Sequence, residues 1–127
     1  MAVKMEPGQI AYFEGKYVPI EEAKISILTH GFNYGTGLFE GIRGYWDDED
    51  QELYLFRLRE HFERQLDSAH IVRINIPYTL DELMAIATEV VRRNGFREDV
   101  HMRPLAYKSG LQITSKALVI TALDDGY

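Results

Sequence analysis

The residues whose types could support chemistry are concentrated in one glycine-dense run, residues 30–45. Its five glycines let the backbone approach another group closely. If the second half of the run is extended, its odd-numbered residues face one side and its even-numbered residues face the other. An aromatic ring at Phe39, a gap at Gly41 and a cation at Arg43 on one side are typical of a pocket wall. The alternative is a tight turn that leads into an edge strand. At this point the residues support the two interpretations equally.

A second group of polar residues lies in residues 100–107, where His101, Arg103, Leu105 and Tyr107 alternate with their neighbours. In an extended chain these four side chains project together. A strand face that carries imidazole, guanidinium and phenol groups suits the binding of a carboxylate or a phosphate. Pro104 cannot donate to a strand ladder and therefore indicates an edge, which favours a solvated face instead.

Arg64 is the third candidate, and it lies on a predicted helix. It points nearly opposite the apolar stripe of that helix, whose members are Leu58, Phe62, Leu66 and Ala69. Its spacing favours a surface pair with Glu60 one turn earlier, a contact expected to contribute only about 0.2–0.5 kcal/mol. His61 and His70 lie on or directly after the same helix, and the pattern requires no special role for them.

Several common site types do not fit. Gly35 and Gly37 begin a dinucleotide-binding pattern, but Glu40 occupies the place of its third glycine. His30 and His101 are far apart in sequence and no carboxylate has a suitable spacing, so we expect no metal site.

The composition indicates one globular domain, with 127 residues, no cysteine and a net charge of −6 from 20 acidic and 14 basic residues. This charge would repel nucleic acid and anionic membranes, so neither is an expected partner. Because no apolar run approaches about 20 residues, we expect no membrane span. The first ten residues lack the apolar core of a secretory signal, and the absence of cysteine fits a cytoplasmic protein.

The pattern of elements predicts an α+β fold, with a mostly antiparallel sheet and about two helices packed on it. Residues 9–20 read as a hairpin, residues 24–28 as a strand and residues 29–37 as a loop. Further strands are predicted at residues 38–45, 53–56, 100–108 and 117–123, with an acidic turn at residues 47–52. One helix carries the apolar stripe; a second begins at a capping box, Thr79-Leu80-Asp81-Glu82, and ends at Asn94-Gly95.

The run Tyr34-Gly-Thr-Gly-Leu-Phe-Glu-Gly-Ile-Arg43 resembles the small-domain signature of branched-chain amino acid aminotransferases, which are pyridoxal-phosphate enzymes of fold type IV. Residues 56–69 resemble the helix that follows in that family, and residues 81–84 and 103–105 match in the same order. The resemblance covers nearly the whole chain. It implies that residues 1–127 are an N-terminal small domain.

The resemblance also implies roles for individual residues. Arg64 matches the arginine that binds the cofactor phosphate, so its exposed face would point at a partner domain. Phe39 and Gly41 match walls of the pocket that contact the substrate side chain. Tyr34 matches a tyrosine that reaches across a dimer interface into the neighbouring pocket.

Three further positions are assigned to substrate binding in the same way. Arg103 matches an arginine beside the substrate carboxylate, and His101 stands where many bacterial members have tyrosine. Tyr127 falls where the interdomain connector begins.

D-amino-acid or (R)-amine transaminases and aminodeoxychorismate lyases share the fold and are alternatives. The family pattern in D-amino-acid transaminases and in the lyases is an acidic residue at the position of Thr36, so the branched-chain assignment leads.

In this family the lysine that forms an imine with the cofactor lies in a large domain beyond the connector. None of the five lysines here lies in that lysine motif. The implied parent is a homodimer that exchanges amino groups between leucine, isoleucine or valine and 2-oxoglutarate. We expect the 127 residues alone to bind no pyridoxal phosphate, to be inactive and to form a homo-oligomer through exposed apolar faces. A non-catalytic, self-associating module is the alternative of another class.

Overall fold

The computed structural model describes residues 7–111, so the predicted strand 117–123 and Tyr127 lie outside the described residues. The described part is a mixed α+β fold, as predicted. Its strands are β1 (Ile10–Phe13), β2 (Lys16–Pro19), β3 (Gly37–Phe39), β4 (Ile42–Asp47), β5 (Glu52–Leu55), β6 (Val100–Met102) and β7 (Leu105–Tyr107). Its helices are a 3₁₀ turn (Ile20–Glu22), α1 (His30–Tyr34), α2 (Leu58–Ile71) and α3 (Leu80–Asn94). Within residues 7–111, none of the helices has the length and apolar content that crossing a membrane requires.

The strands form three small antiparallel sheets in the described part of the chain, with the orders β1-β2, β3-β7 and β5-β4-β6. The predicted hairpin is confirmed, with Phe13 opposite Lys16 and a two-residue turn at Glu14-Gly15. Both turn residues have positive φ, 47° and 90°, as the tight hairpin turn with the natural strand twist requires. The Asn94 side chain joins this hairpin to the end of α3, because it accepts from the Ile10 N–H (2.8 Å) and donates to the Ile10 carbonyl (2.9 Å).

Two predicted strands are each broken once, at positions that face each other. Residues 38–45 divide at Glu40-Gly41 into β3 and β4, and residues 100–108 divide at Arg103-Pro104 into β6 and β7. The Glu40 N–H donates to the Pro104 carbonyl (3.1 Å) between the two breaks. Pro104 has no N–H to continue the ladder, so the chain changes partner there. The predicted alternation of faces is nevertheless confirmed, since Glu40, Ile42 and Gly44 are buried and their odd-numbered neighbours are exposed.

The core lies between the buried face of the β5-β4-β6 sheet and the two long helices. Ile42 is completely buried and packs with Phe62 of α2 and Ala87 of α3. The apolar stripe of α2 and the capping box of α3 are both where the pattern predicts them. Thr79 Oγ1 accepts from the Glu82 N–H (3.2 Å), and left-handed Gly95 ends the helix.

The predictions for residues 24–37 are wrong in two respects. Residues 24–28 form no strand; Ile25 and Ile27 are about half exposed, although their alternation indicated a strand. The predicted loop 29–37 contains the short helix α1. Long-range partners explain this outcome, because the N–H groups of His30 and Gly31 donate to the carbonyls of Gly110 and Lys108 (2.8 and 2.9 Å). The backbone at the start of α1 therefore pairs with the chain after β7, whereas the N–H groups of Lys24 and Thr29 donate locally, to the carbonyls of Glu22 and Ser26.

Candidate functional site

The break between β3 and β4 places Glu40 against α2, with only 7 % of its surface exposed. Arg64 donates two hydrogen bonds to this carboxylate, from Nε to Oε2 (2.9 Å) and from Nη2 to Oε1 (2.6 Å). His61, one turn earlier on α2, lies with Nδ1 2.8 Å from Oε1. The pairing of Arg64 with Glu60 that spacing favoured is wrong, since Glu60 lies 3.6 Å from Arg57 instead.

These contacts determine the charges at the site. The hydrogen bonds from Arg64 hold the pKa of Glu40 below its ordinary value, against the opposing effect of burial, and His61 acts in the same direction. Glu40 in turn raises the pKa of Arg64. The pair is therefore a carboxylate beside a guanidinium. Because an ionised carboxylate only accepts, the His61 Nδ1 atom must carry a hydrogen.

One edge of the Arg64 guanidinium is hydrogen-bonded to Glu40, and the rest of the group is exposed. Its side chain is 66 % exposed, whereas the carboxylate that binds it is buried. A guanidinium has five N–H donors, and Glu40 takes two of them along the Nε–Nη2 edge. The other three have no acceptor among the residues that the structure describes. They include both donors of the end edge, Nη1 and the second hydrogen of Nη2, which can bind another anion in a bidentate way.

Four of the predicted pocket residues come together on the exposed face of the strands. The Arg103 guanidinium lies 4.6 Å from the centre of the Phe39 ring. A Cβ atom added at Gly41 would lie 3.0 Å from Nε2 of His101, so the glycine allows that imidazole to pack closely against the backbone. The two facing breaks cause this arrangement, because they bring the residues before and after Glu40 opposite the residues around Pro104.

A buried hydrogen-bonded junction joins this face to α2. The Pro104 carbonyl accepts from the Glu40 N–H (3.1 Å) and from Nε2 of Gln65 (3.0 Å). Gln65 is buried, and it neighbours Arg64 on the helix. The helix that carries Arg64 is thus attached directly to the strand break that carries Arg103.

The remaining predicted residues lie on other elements or outside the described range. Tyr34 lies on α1, where its ring packs at 4.6 Å from that of His30. Tyr107 does not join the His101 and Arg103 group, because its hydroxyl donates to Glu14 of the hairpin turn (2.7 Å). Burial and that hydrogen bond raise the pKa of Tyr107 to about 12. Tyr127 is among the residues that the structure does not describe.

Sequence reasoning missed three residues of this site: Glu40, His61 and Gln65. The alternation of residues 38–44 had placed Glu40 on the side that is buried, and a buried carboxylate requires a cationic partner. Gln65 lies three residues after Phe62 and four before Ala69, so the helical period puts it on the buried side. His61 was given no role, but it contacts Glu40. Among residues 7–111, no cluster of three potential metal ligands occurs.

The similar sequences and the similar solved structures all point to one family. No family model matches the sequence. A probable branched-chain-amino-acid aminotransferase of Aquifex aeolicus is 48 % identical over 111 residues, which are 87 % of this chain and 36 % of that protein. The branched-chain-amino-acid aminotransferase of Pseudomonas aeruginosa is 38 % identical over 98 residues, 77 % of this chain and 31 % of that protein.

Solved structures give the same result. The branched-chain aminotransferase of Thermoproteus uzoniensis with norvaline matches with a TM-score of 0.75 and 50 % identity, over 81 % of this chain and 34 % of that one. The branched-chain amino acid aminotransferase of Thermobaculum terrenum in its PLP form matches with a TM-score of 0.73 and 35 % identity, over 81 % of this chain and 34 % of that one. The chain is therefore a homologue of branched-chain amino acid aminotransferases that spans about a third of their length.

Proposed function

We propose that residues 1–127 are the small domain of a branched-chain amino acid aminotransferase. In this proposal the domain supplies the cofactor-phosphate ligand and part of the substrate pocket, and a second domain supplies the lysine that bears the cofactor. The observation that carries the proposal is Arg64, an exposed guanidinium that a buried carboxylate orients and whose end edge is open.

The residues present fit pyridoxal phosphate on the phosphate side. Guanidinium groups bind phosphate in a bidentate way, and Arg64 keeps three donors for that purpose. When bound, pyridoxal phosphate supplies the electron sink that allows the α-proton of an amino acid to be removed. Arg64 would hold the phosphate and so orient the ring, whereas proton transfer requires a lysine that this proposal places in the second domain.

The exposed strand face would bind the substrate. Phe39 and Gly41 would form the wall that contacts an aliphatic side chain, and Arg103 with His101 would lie near the substrate carboxylate. Homologues were solved with norvaline and with 4-methylvaleric acid, both of which combine a carboxylate with an aliphatic chain. We therefore propose leucine, isoleucine or valine as amino donor and 2-oxoglutarate as acceptor.

The proposed assembly is a homodimer. Tyr34 would reach into the neighbouring pocket, and Tyr127 would begin the connector to the second domain. Large apolar side chains that are exposed on the strands and on the segment after β5 support an interface: Phe39, Tyr45, Tyr54, Phe56 and Leu105. The 127-residue chain should thus associate in solution. Light scattering that returns a monomer over a wide concentration range would contradict this part of the proposal.

The decisive experiment combines this chain with the second domain of a relative. A chimera would carry the aligned 111 residues of this chain in place of the matching segment of the Aquifex aeolicus relative. We expect it to bind pyridoxal phosphate and to transaminate leucine with 2-oxoglutarate, and the variant Arg64→Gln to bind the cofactor more weakly. A folded chimera that prefers a D-amino acid or an (R)-amine would instead favour another member of the same fold.

A parallel measurement tests the chain by itself. Pyridoxal phosphate is titrated into the 127-residue chain, followed by borohydride reduction and peptide mass mapping. We expect only scattered labelling of surface lysines, because the proposed site is half of a pocket. Saturable labelling of one lysine would show that the chain binds the cofactor in its own right.

A further inference from the structure

Glu40 is a buried charge that makes three side-chain hydrogen bonds with two residues, and the proposed function leaves it without a role. Its carboxylate is 7 % exposed and contacts Arg64 twice and His61 once. A carboxylate removed from water is costly unless it is paired and hydrogen-bonded. Such a group is therefore expected to serve a positioning purpose at the residue that it holds.

The contact geometry defines that purpose. Glu40 occupies the Nε–Nη2 edge of the Arg64 guanidinium, which fixes both the plane of the group and the direction of its end edge. Arginine has many rotamers, and a side chain that is 66 % exposed would otherwise sample them in solvent. With Glu40 in place, the end edge is presented in one orientation before any ligand arrives.

The backbone of Glu40 is itself held in place, by its own hydrogen bond and by the strand pairing of the residues before and after it. Its N–H donates to the Pro104 carbonyl (3.1 Å), which the buried Gln65 also contacts (3.0 Å). The residues around it are paired in two different sheets, with Phe39 opposite Leu105 and Ile42 opposite Met102. The carboxylate therefore has a rigid backbone beneath it and cannot follow a moving guanidinium.

We propose that Glu40 is a positioning residue for cofactor binding, and that it orients Arg64 toward the phosphate group. The inference rests on the proposed function. It states that the fixed orientation of Arg64 favours phosphate binding more than the negative charge of Glu40 opposes it. Coulomb attraction alone predicts the opposite, because a carboxylate next to Arg64 reduces the attraction of the guanidinium for a phosphate dianion.

The two effects predict opposite results for Glu40→Gln in the chimeric holoenzyme. The amide keeps the size of the side chain but can no longer accept two hydrogen bonds from Arg64. Releasing one long side chain corresponds to about a three- to tenfold weaker affinity for pyridoxal phosphate. The affinity for pyridoxal, which lacks the phosphate, should remain unchanged, and a general loss of structure would not produce this difference. Tighter binding of pyridoxal phosphate in Glu40→Gln would overturn the proposal.

Glu40→Asp separates the effect of side-chain length from the effect of charge. It also provides a test of the proposal if Glu40→Gln does not fold. It keeps the carboxylate but withdraws it by one methylene, so we expect it also to weaken the binding of pyridoxal phosphate and not of pyridoxal. Wild-type affinity in Glu40→Asp would contradict the geometric argument. Glu89→Gln is the matched control, since Glu89 accepts from Arg92 and Arg93 on the exposed surface of α3 (2.9 and 3.0 Å) and should leave both affinities unchanged.

The order of Arg64 can be measured in the 127-residue chain itself. NMR relaxation of its Nε–Hε group should show a rigid side chain in the wild type and a mobile one in Glu40→Gln. An ordered Arg64 in Glu40→Gln would overturn the proposal and leave the proposed function intact. Failure of the wild-type chimera to bind pyridoxal phosphate would overturn the proposed function and, with it, this inference.

Discussion

Gly44 in β4 offers a direct test of the packing that supports the site. It lies opposite Leu55 of β5 and Val100 of β6, in the centre of the three-stranded sheet. A Cβ atom added there would lie 2.7 Å from Cγ2 of Val100 and 3.2 Å from Cδ2 of Leu55. The leucine end can rotate away. The valine is β-branched and stiff about χ1, so Val100 determines the outcome.

Gly44→Ala should therefore destabilise the chain by about 1 kcal/mol, the difference between the midpoints of two opposing effects. Overpacking a filled site costs about 1–3 kcal/mol. Against this, replacing a strand glycine by alanine recovers about 0.5–1 kcal/mol of conformational entropy. For a chain of 127 residues, each kcal/mol corresponds to a decrease of about 4 °C in Tm.

Urea unfolding of the 127-residue chain, followed by circular dichroism, measures this effect. Val100→Ala removes the clashing methyl group, so the double variant should be more stable than the sum of the single effects predicts, by about 1 kcal/mol. Gly110→Ala is the control, because a Cβ atom there meets nothing within 4 Å among residues 7–111 and the backbone is not left-handed. The reasoning is refuted if Gly44→Ala unfolds like the wild type, or if the two substitutions are additive.

Three further predictions concern stability and are measured by urea unfolding. Thr79→Ala removes the oxygen that caps α3 and should cost about 1 kcal/mol; equal stability would show that the cap is dispensable. Arg64 lowers the pKa of Glu40 below 4.5, so the ionised Glu40 stabilises the fold above pH 4.5, and this stabilisation is lost as the pH falls through the lowered pKa. The free energy of unfolding of Glu40→Gln should therefore fall less steeply with decreasing pH than that of the wild type. An equal pH dependence in the two proteins argues against this. Burial, with the Glu14 hydrogen bond, raises the pKa of Tyr107 from 10.0 to about 12, so stability should decline between these pH values as the unfolded phenol ionises. Tyr107→Phe should flatten this alkaline decline, and an undiminished slope would point to other groups.

The elements predicted correctly from sequence are those with local causes. The Glu14-Gly15 turn requires two positive φ angles, and the helix from Leu80 to Asn94 has its cap at each end within a few residues of the chain. The alternation of buried and exposed residues in β4 follows from strand geometry alone. The order of motifs along the chain was sufficient to indicate the family.

The arrangement of the site depended on contacts between distant residues. The bond between Glu40 and Arg64 spans 24 positions, and the one between Gln65 and Pro104 spans 39. Periodicity assigns a face to each of these residues, but it does not say which element covers that face.

The sequence by itself thus determined the hairpin turn, the two long helices, the buried face of β4 and the candidate ligands. Only the tertiary structure decided that two strands break opposite each other at Glu40 and Pro104, and that a buried carboxylate orients Arg64. The physical reason is the range of the interactions. Backbone preferences and caps act within one turn, whereas the pairing of a buried charge depends on which helix packs against the strand that carries it.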